Sequence, residues 1–122
     1  MQDEAARTVT ILEEAGFIVA SVRCKCGAID KTKLVAKEHK IGNPLKFEAA
    51  CNPVLQAQLL NNAGTDINII VGLCVGHDML FTMYSKALVT TLIVKDRLLG
   101  HNPVIALYSN YHKEVIKSQK RI

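Results

Sequence analysis

The sequence lacks tryptophan and has only three phenylalanines and three tyrosines, so its core must be built from aliphatic side chains. It also lacks a long apolar run, because the longest stretches, residues 67–75 and 88–94, are far too short to cross a bilayer. No Gly-x-Gly-x-x-Gly or P-loop pattern occurs, which removes two signatures of nucleotide binding. No basic patch with interleaved aromatic residues occurs either. We therefore expect neither a membrane nor a nucleic acid as partner.

The residues that are present suit one globular domain. The chain has 122 residues, 49% of them hydrophobic, and a net charge of +4, so we expect a single α/β domain over residues 1–122. Its acidic start, Met1 to Glu4, does not resemble a signal or transit peptide. We therefore expect a cytoplasmic protein. There, its four cysteines are better explained as thiols or metal ligands than as disulfides.

Apolar periodicity and helix caps divide the chain into alternating helices and strands. A glycine, Gly16 or Gly64, ends each of the first two helices, and an Asn-Pro pair, at Asn52 and Asn102, begins the second and the last. The connection over residues 25–46 is long enough to be functional or to carry a short helix. The predicted segments, in chain order, are helix 3–15, strand 17–24, helix 53–63, strand 66–74, a helix to about residue 85, strand 89–94 and a last helix from residue 103.

This order predicts a three-layer, doubly wound, Rossmann-like sheet, mainly parallel and with three strands in this chain. The first helix has no strand before it, which would leave a gap in such a sheet. Either the chain is an N-terminally truncated domain, or the gap is filled by unusual strand order or by association of copies into a homo-oligomer through the unfilled sheet edge.

The residues suited to chemistry fall where the predicted strands end and the next helices begin. In a parallel sheet these points share one edge, and that edge is where small-molecule ligands bind. They are Cys24, Cys26, Cys51, Cys74, His77, Asp78, Asp96 and His101. A cysteine just before a helix is expected to have a lowered pKa, and a histidine there to be neutral. Cys51 and Cys74 would then be anionic sulfur donors and His77 a nitrogen donor. Three sulfurs and one imidazole satisfy tetrahedral zinc, and the same residues could hold an iron–sulfur cluster.

Each residue also has a plainer interpretation, and two other functions stay open. Cys74 could simply be buried core, Asp78 a helix cap, Asp96 an ion-pair partner and His101 a turn residue. An enzyme could use Cys74 or Cys51 as nucleophile, with His77 or His101 as base. A non-catalytic ligand-binding or assembly module would instead use the exposed sheet edge to recruit another chain.

The same residues carry a family resemblance. They lie in the strings Cys24-Lys25, Ala50-Cys51-Asn52-Pro53, Gly72-Leu73-Cys74-Val75-Gly76-His77-Asp78, Val94-Lys95-Asp96-Arg97 and Gly100-His101-Asn102-Pro103. The series resembles an uncharacterised bacterial and archaeal metal-binding protein family, domain of unknown function 1847. Members of that family look longer, with a cysteine-rich N-terminal segment and an additional first strand.

The resemblance implies a metal or cluster site whose nature is unresolved. It implies Cys24, Cys51, Cys74 and His77 as the metal ligands, and it leaves out Cys26, where the family has an apolar residue. Asp78, Asp96 and His101 would then hydrogen-bond to the ligands and orient them. The leading hypothesis is a cytoplasmic domain that binds zinc or an iron–sulfur cluster at the carboxyl edge of its sheet.

Overall fold

A computed structural model describes residues 1–43, 45–110, 114, 117 and 118. In the described residues the fold is mixed α/β, as predicted. Its elements are helix α1 (Gln2–Glu14), short 3-10 turns at Lys31–Lys33 and Lys37–His39, helix α2 (Pro53–Ala63), strand β1 (Ile67–Cys74), helix α3 (His77–Tyr84), strand β2 (Leu88–Lys95) and a four-residue helix α4 (Ile105–Tyr108). In this part of the chain no helix combines the length and apolar content needed to cross a membrane.

The sheet of the described residues has two strands, which pair in parallel. Ile67 lies opposite Leu88 at one end of the ladder, and Cys74 lies opposite Lys95 at the other. The register shifts around Val71, beside Gly72, whose φ of 68° is in the left-handed region. Parallel neighbours need a crossover, and α3 provides it. The predicted crossover and the two strands it joins are therefore confirmed.

The predicted first strand, residues 17–24, differs from the structure. Residues 17–23 have no regular secondary structure and no ladder partner, and residues 24–27 form a turn. The backbone there bonds to helix α2 instead: the Val22 carbonyl accepts from the Gln56 side chain, and the Cys24 carbonyl accepts from the Asn52 N–H. Ile18 is fully exposed, so this apolar run is not covered on both faces as expected. The sheet described is thus narrower by one strand than the sequence predicted.

The core lies between the sheet and helices α2 and α3. Its buried members are Ala57, Ile70, Leu73 and Phe81, and the half-buried side chains packed on them include Cys24, Leu60 and Val89. Helix α1 contacts β1, and its Ile11 and Leu12 line a groove with Ile69. Because Ile69 and Ile70 are adjacent in a strand, they point to opposite faces. Helices therefore lie on both faces of β1.

The helix starts agree with the sequence at α2 and differ at the last helix. The Asn52 side chain accepts from the Leu55 N–H, with Pro53 in the first helical position, as a capping residue should. The Asn102-Pro103 pair does not begin a helix directly, since α4 starts at Ile105. The long connection carries the two 3-10 turns and is closed by a bridge between Asp30 and Ala49.

Candidate metal centre

Two of the four predicted ligands meet. The Sγ atoms of Cys24 and Cys51 lie 3.7 Å apart, and both side chains are half-buried. Cys51 immediately precedes the cap of α2, and Cys24 opens the turn that follows the extended segment. The Asn52 N–H donates to the Cys24 carbonyl oxygen at 2.6 Å, which binds the two stretches of chain together one residue away from the sulfurs. We call these two residues the thiol pair.

Gln56 of α2 bonds to the chain segment that leads to Cys24, and the sequence analysis missed it. Its Nε2 donates to the Val22 carbonyl at 2.8 Å, two residues before Cys24. Gln56 is buried, and its Oε1 has no hydrogen-bond partner. The signal was present in the sequence, because Gln56 occupies a position of the stripe Pro53, Ala57, Leu60 that an apolar residue would normally fill. A polar residue in such a stripe indicates a specific bond.

The electrostatics of Cys51 contradict the expectation of a lowered pKa. Burial raises the pKa of the Cys51 thiol above its usual 9.0, and the hydrogen bond and proximity of Cys24 raise it further. The ammonium groups of Lys25 and Lys95 act in the opposite direction with smaller effect. The expectation rested only on the start of the helix and did not include the loss of water around the sulfur or the second thiol beside it, both of which raise the pKa.

Cys74 does not form a three-ligand group with the thiol pair in the described residues. It is the last residue of β1, and its Cα pairs with that of Lys95, whose ammonium group acts on Cys51. Its neighbour Leu73 belongs to the cluster on which Cys24 packs. Cys74 thus adjoins, along the chain, a residue of the cluster that Cys24 contacts.

His77 is the first residue of α3, and its Nδ1 is buried without a hydrogen-bond partner. The turn before it depends on Gly76, with a φ of 93°. Asp78 acts as a local cap, because its Oδ1 accepts from the N–H groups of Gly76 and Met79. These contacts agree with the interpretation of Asp78 as a helix cap.

Asp96 and His101 bond to each other rather than to the thiol pair. The His101 N–H donates to the Asp96 carbonyl at 2.6 Å, and the Asp96 N–H donates to His101 Nδ1 at 3.2 Å. The Asp96 carboxylate accepts from the N–H groups of Leu98 and Leu99. Together they close the loop that follows β2.

The four predicted ligands do not form a complete metal site in the described residues. Within 1–43, 45–110, 114 and 117–118, no three His, Cys, Asp or Glu side chains converge closely enough to hold a metal ion. The thiol pair alone does fit one. Two sulfurs bound to a tetrahedral zinc at about 2.3 Å each lie about 3.8 Å apart. The observed 3.7 Å matches that spacing.

Comparison with known proteins gives two matches. A family model described as "Protein of unknown function (DUF1847)" matches residues 1–92, a range that contains the thiol pair, Cys74 and His77 but not Asp96 or His101. An uncharacterised protein of Methanocaldococcus jannaschii is 53% identical over 112 residues, which are 92% of this chain and 56% of that protein. The chain thus spans about half the length of the curated relative it matches. No solved structure gives a significant match.

Proposed function

The chain belongs to the DUF1847 family of proteins of unknown function, and we propose that it is a metal-binding α/β domain built around the thiol pair. Cys24 and Cys51 would supply two sulfur ligands, and Cys74 and His77 would complete a tetrahedral set. Three sulfurs and one imidazole suit zinc better than they suit an iron–sulfur cluster, because most clusters are bound by thiolates alone.

The observation that carries the proposal is the 3.7 Å separation of the two sulfurs. It is the spacing of two ligands on one zinc ion. A backbone bond from Asn52 to Cys24 and a side-chain bond from Gln56 to Val22 connect the two chain segments that carry the sulfurs. A site whose ligands are already adjacent loses less conformational freedom when the ion binds. A bound cation would also favour deprotonation of both thiols.

His77 supports the proposal independently. A buried nitrogen that makes no hydrogen bond within the protein is costly, by about 1–3 kcal/mol. Nδ1 of His77 is such an atom. Coordination by a metal would satisfy it, provided that α3 and the end of β1 move toward the thiol pair. This movement is part of the proposal, because the described residues do not bring His77 and Cys74 to the pair.

No observation favours the enzyme alternative. A nucleophilic cysteine needs a lowered pKa or an adjacent base. The pKa of Cys51 is raised, and His101 Nδ1 is occupied by the Asp96 N–H. We therefore propose no enzymatic activity.

Three broader expectations remain proposals. Helices on both faces of β1 support a doubly wound, three-layer arrangement. The unpaired edges of a two-stranded sheet support association between copies. Four free thiols support a reducing compartment such as the cytoplasm.

The test is metal analysis of protein purified without oxygen, combined with its ultraviolet and visible absorption. We expect about one zinc ion per chain and no visible colour, whereas a brown protein would identify an iron–sulfur cluster. Cys24→Ser and Cys51→Ser should each lose the metal. Cys26→Ser is the matched control and should retain it. Less than about a tenth of a metal ion per chain, with no gain on reconstitution, would overturn the proposal.

A further inference from the structure

The contact between the two sulfurs has a second chemical consequence. We propose that Cys24 and Cys51 form a disulfide when the protein meets a peroxide, so that the thiol pair is a site of reversible oxidation. This goes beyond metal binding and does not require it. The proposal stands on the 3.7 Å separation of the sulfurs and on the backbone bond between Asn52 and Cys24.

The geometry leaves a short path to the bond. A disulfide needs sulfurs about 2.0 Å apart and Cα atoms within about 7 Å, so the sulfurs must approach by about 1.7 Å. The 2.6 Å bond from the Asn52 N–H to the Cys24 carbonyl already places the two backbones side by side. In this proposal, rotation of the two side chains closes the remaining distance. Cys26 and Cys74 make no such sulfur contact in the described part of the chain.

The reaction takes place in two balanced steps. One thiol gives its electron pair to a peroxide oxygen, the O–O bond breaks, and a sulfenic acid and one water form. The second thiol then attacks the sulfenic sulfur, the S–O bond breaks, and the S–S bond forms with loss of a second water. In total, two thiols and one hydrogen peroxide give one disulfide and two waters. The sulfurs lose two electrons, which reduce the peroxide.

The disulfide would connect residues 27 positions apart in the chain. It would join the turn at Cys24 covalently to the start of α2. It would also remove both sulfurs from metal binding, so oxidation and metal would compete for the same two atoms.

The experiment uses the full chain, reduced, freed of metal with a chelator and then exposed to hydrogen peroxide. We expect the intact mass to fall by about 2 Da, the loss of two hydrogens. Titratable thiols should fall from the four free cysteines to two. Peptide mapping should join Cys24 to Cys51, and dithiothreitol should reverse the change.

Variants identify the pair. Cys26→Ser and Cys74→Ser should still form the disulfide, whereas Cys24→Ser should lose it and gain oxygen on Cys51 instead. A linkage that maps to Cys26 or Cys74, or four titratable thiols after treatment, would overturn the proposal.

A second arm, loaded with zinc before the peroxide, separates this proposal from the metal hypothesis. Slower oxidation of the zinc-loaded protein supports both the disulfide and the metal site. Equal rates with and without zinc would leave the disulfide standing and count against Cys24 and Cys51 as ligands. Failure to form the disulfide in the metal-free arm would overturn this inference alone.

Discussion

Replacing Gln56 tests whether α2 positions the thiol pair. Its Nε2 donates to the Val22 carbonyl, while its buried Oε1 has no partner. Gln56→Ala removes the donor and leaves a gap, so we expect a loss of about 1–3 kcal/mol in the free energy of unfolding. Gln56→Leu removes the same donor but refills the space and deletes the unpaired oxygen. Loss of the donor destabilises the protein and loss of the unpaired oxygen stabilises it by a similar amount. We therefore expect the free energy of unfolding to change by less than about 1 kcal/mol.

The leucine variant therefore separates stability from positioning. With Val22 released, the segment that carries Cys24 is held by fewer bonds, and the two sulfurs should become more accessible. We expect alkylation of Cys24 and Cys51 in the folded protein to accelerate several-fold, while that of Cys74 stays unchanged.

The assay combines urea unfolding with timed alkylation and mass spectrometry of each cysteine. Gln58→Leu is the matched control, because Gln58 lies on the same helix and is exposed. The reasoning is refuted if Gln56→Leu leaves the alkylation of Cys24 and Cys51 at the rate of this control, or accelerates Cys74 equally.

Three further predictions concern the fold. Phe81 is only 4% exposed and packs in the central cluster, so Phe81→Ala should lower the free energy of unfolding by about 3–5 kcal/mol in a urea titration. Gly72 has a left-handed φ, and an added Cβ would collide with the Met1 side chain. Gly72→Ala should therefore lower the free energy of unfolding by at least about 1–2 kcal/mol. A change below about 0.5 kcal/mol would contradict this account. The 2.5 Å bond to Lys31 lowers the pKa of the Glu48 carboxyl below its usual 4.5. The stability that this bond contributes is therefore complete above pH 4.5 and is lost as the pH falls through the lowered pKa. Between pH 6 and pH 3, the free energy of unfolding should fall less in Glu48→Gln than in the unchanged protein.

Local patterns were enough to predict most of the fold. Gly16 and Gly64 end their helices and Asn52 caps α2, because these effects depend on neighbouring residues only. The two apolar runs that became β1 and β2 also follow from local periodicity. Residues 17–24 have an equally strong strand pattern. They lack a ladder partner in the described residues, and pairing is a property of the whole sheet that no single segment encodes.

The candidate site was predicted in part, for a related reason. From the sequence, Cys24 and Cys51 are expected at one edge of the sheet, and their sulfurs do meet, although Cys24 follows an unpaired segment rather than a strand. The bond from Gln56 to Val22, which joins residues 34 positions apart next to this contact, could not be anticipated in that way. The protonation of Cys51 depends on burial and on the adjacent thiol, which only the folded chain reveals.

The register of the sheet explains why the thiol pair is the centre of the site rather than Cys74. Cys74 pairs with Lys95 at the end of the ladder, so the movement toward the thiol pair that metal binding requires would break this last pairing. Cys24 and Cys51 lie outside the strands, in a turn and before a helix cap, and they are fixed by a few hydrogen bonds. Side chains on such segments can change their separation by an ångström or two at small cost, whereas a ladder residue cannot. We therefore expect the thiol pair to adopt both proposed states, bridged by a metal ion or joined directly, at lower cost than Cys74 and His77 can join it, because these two residues would require α3 and the end of β1 to move together.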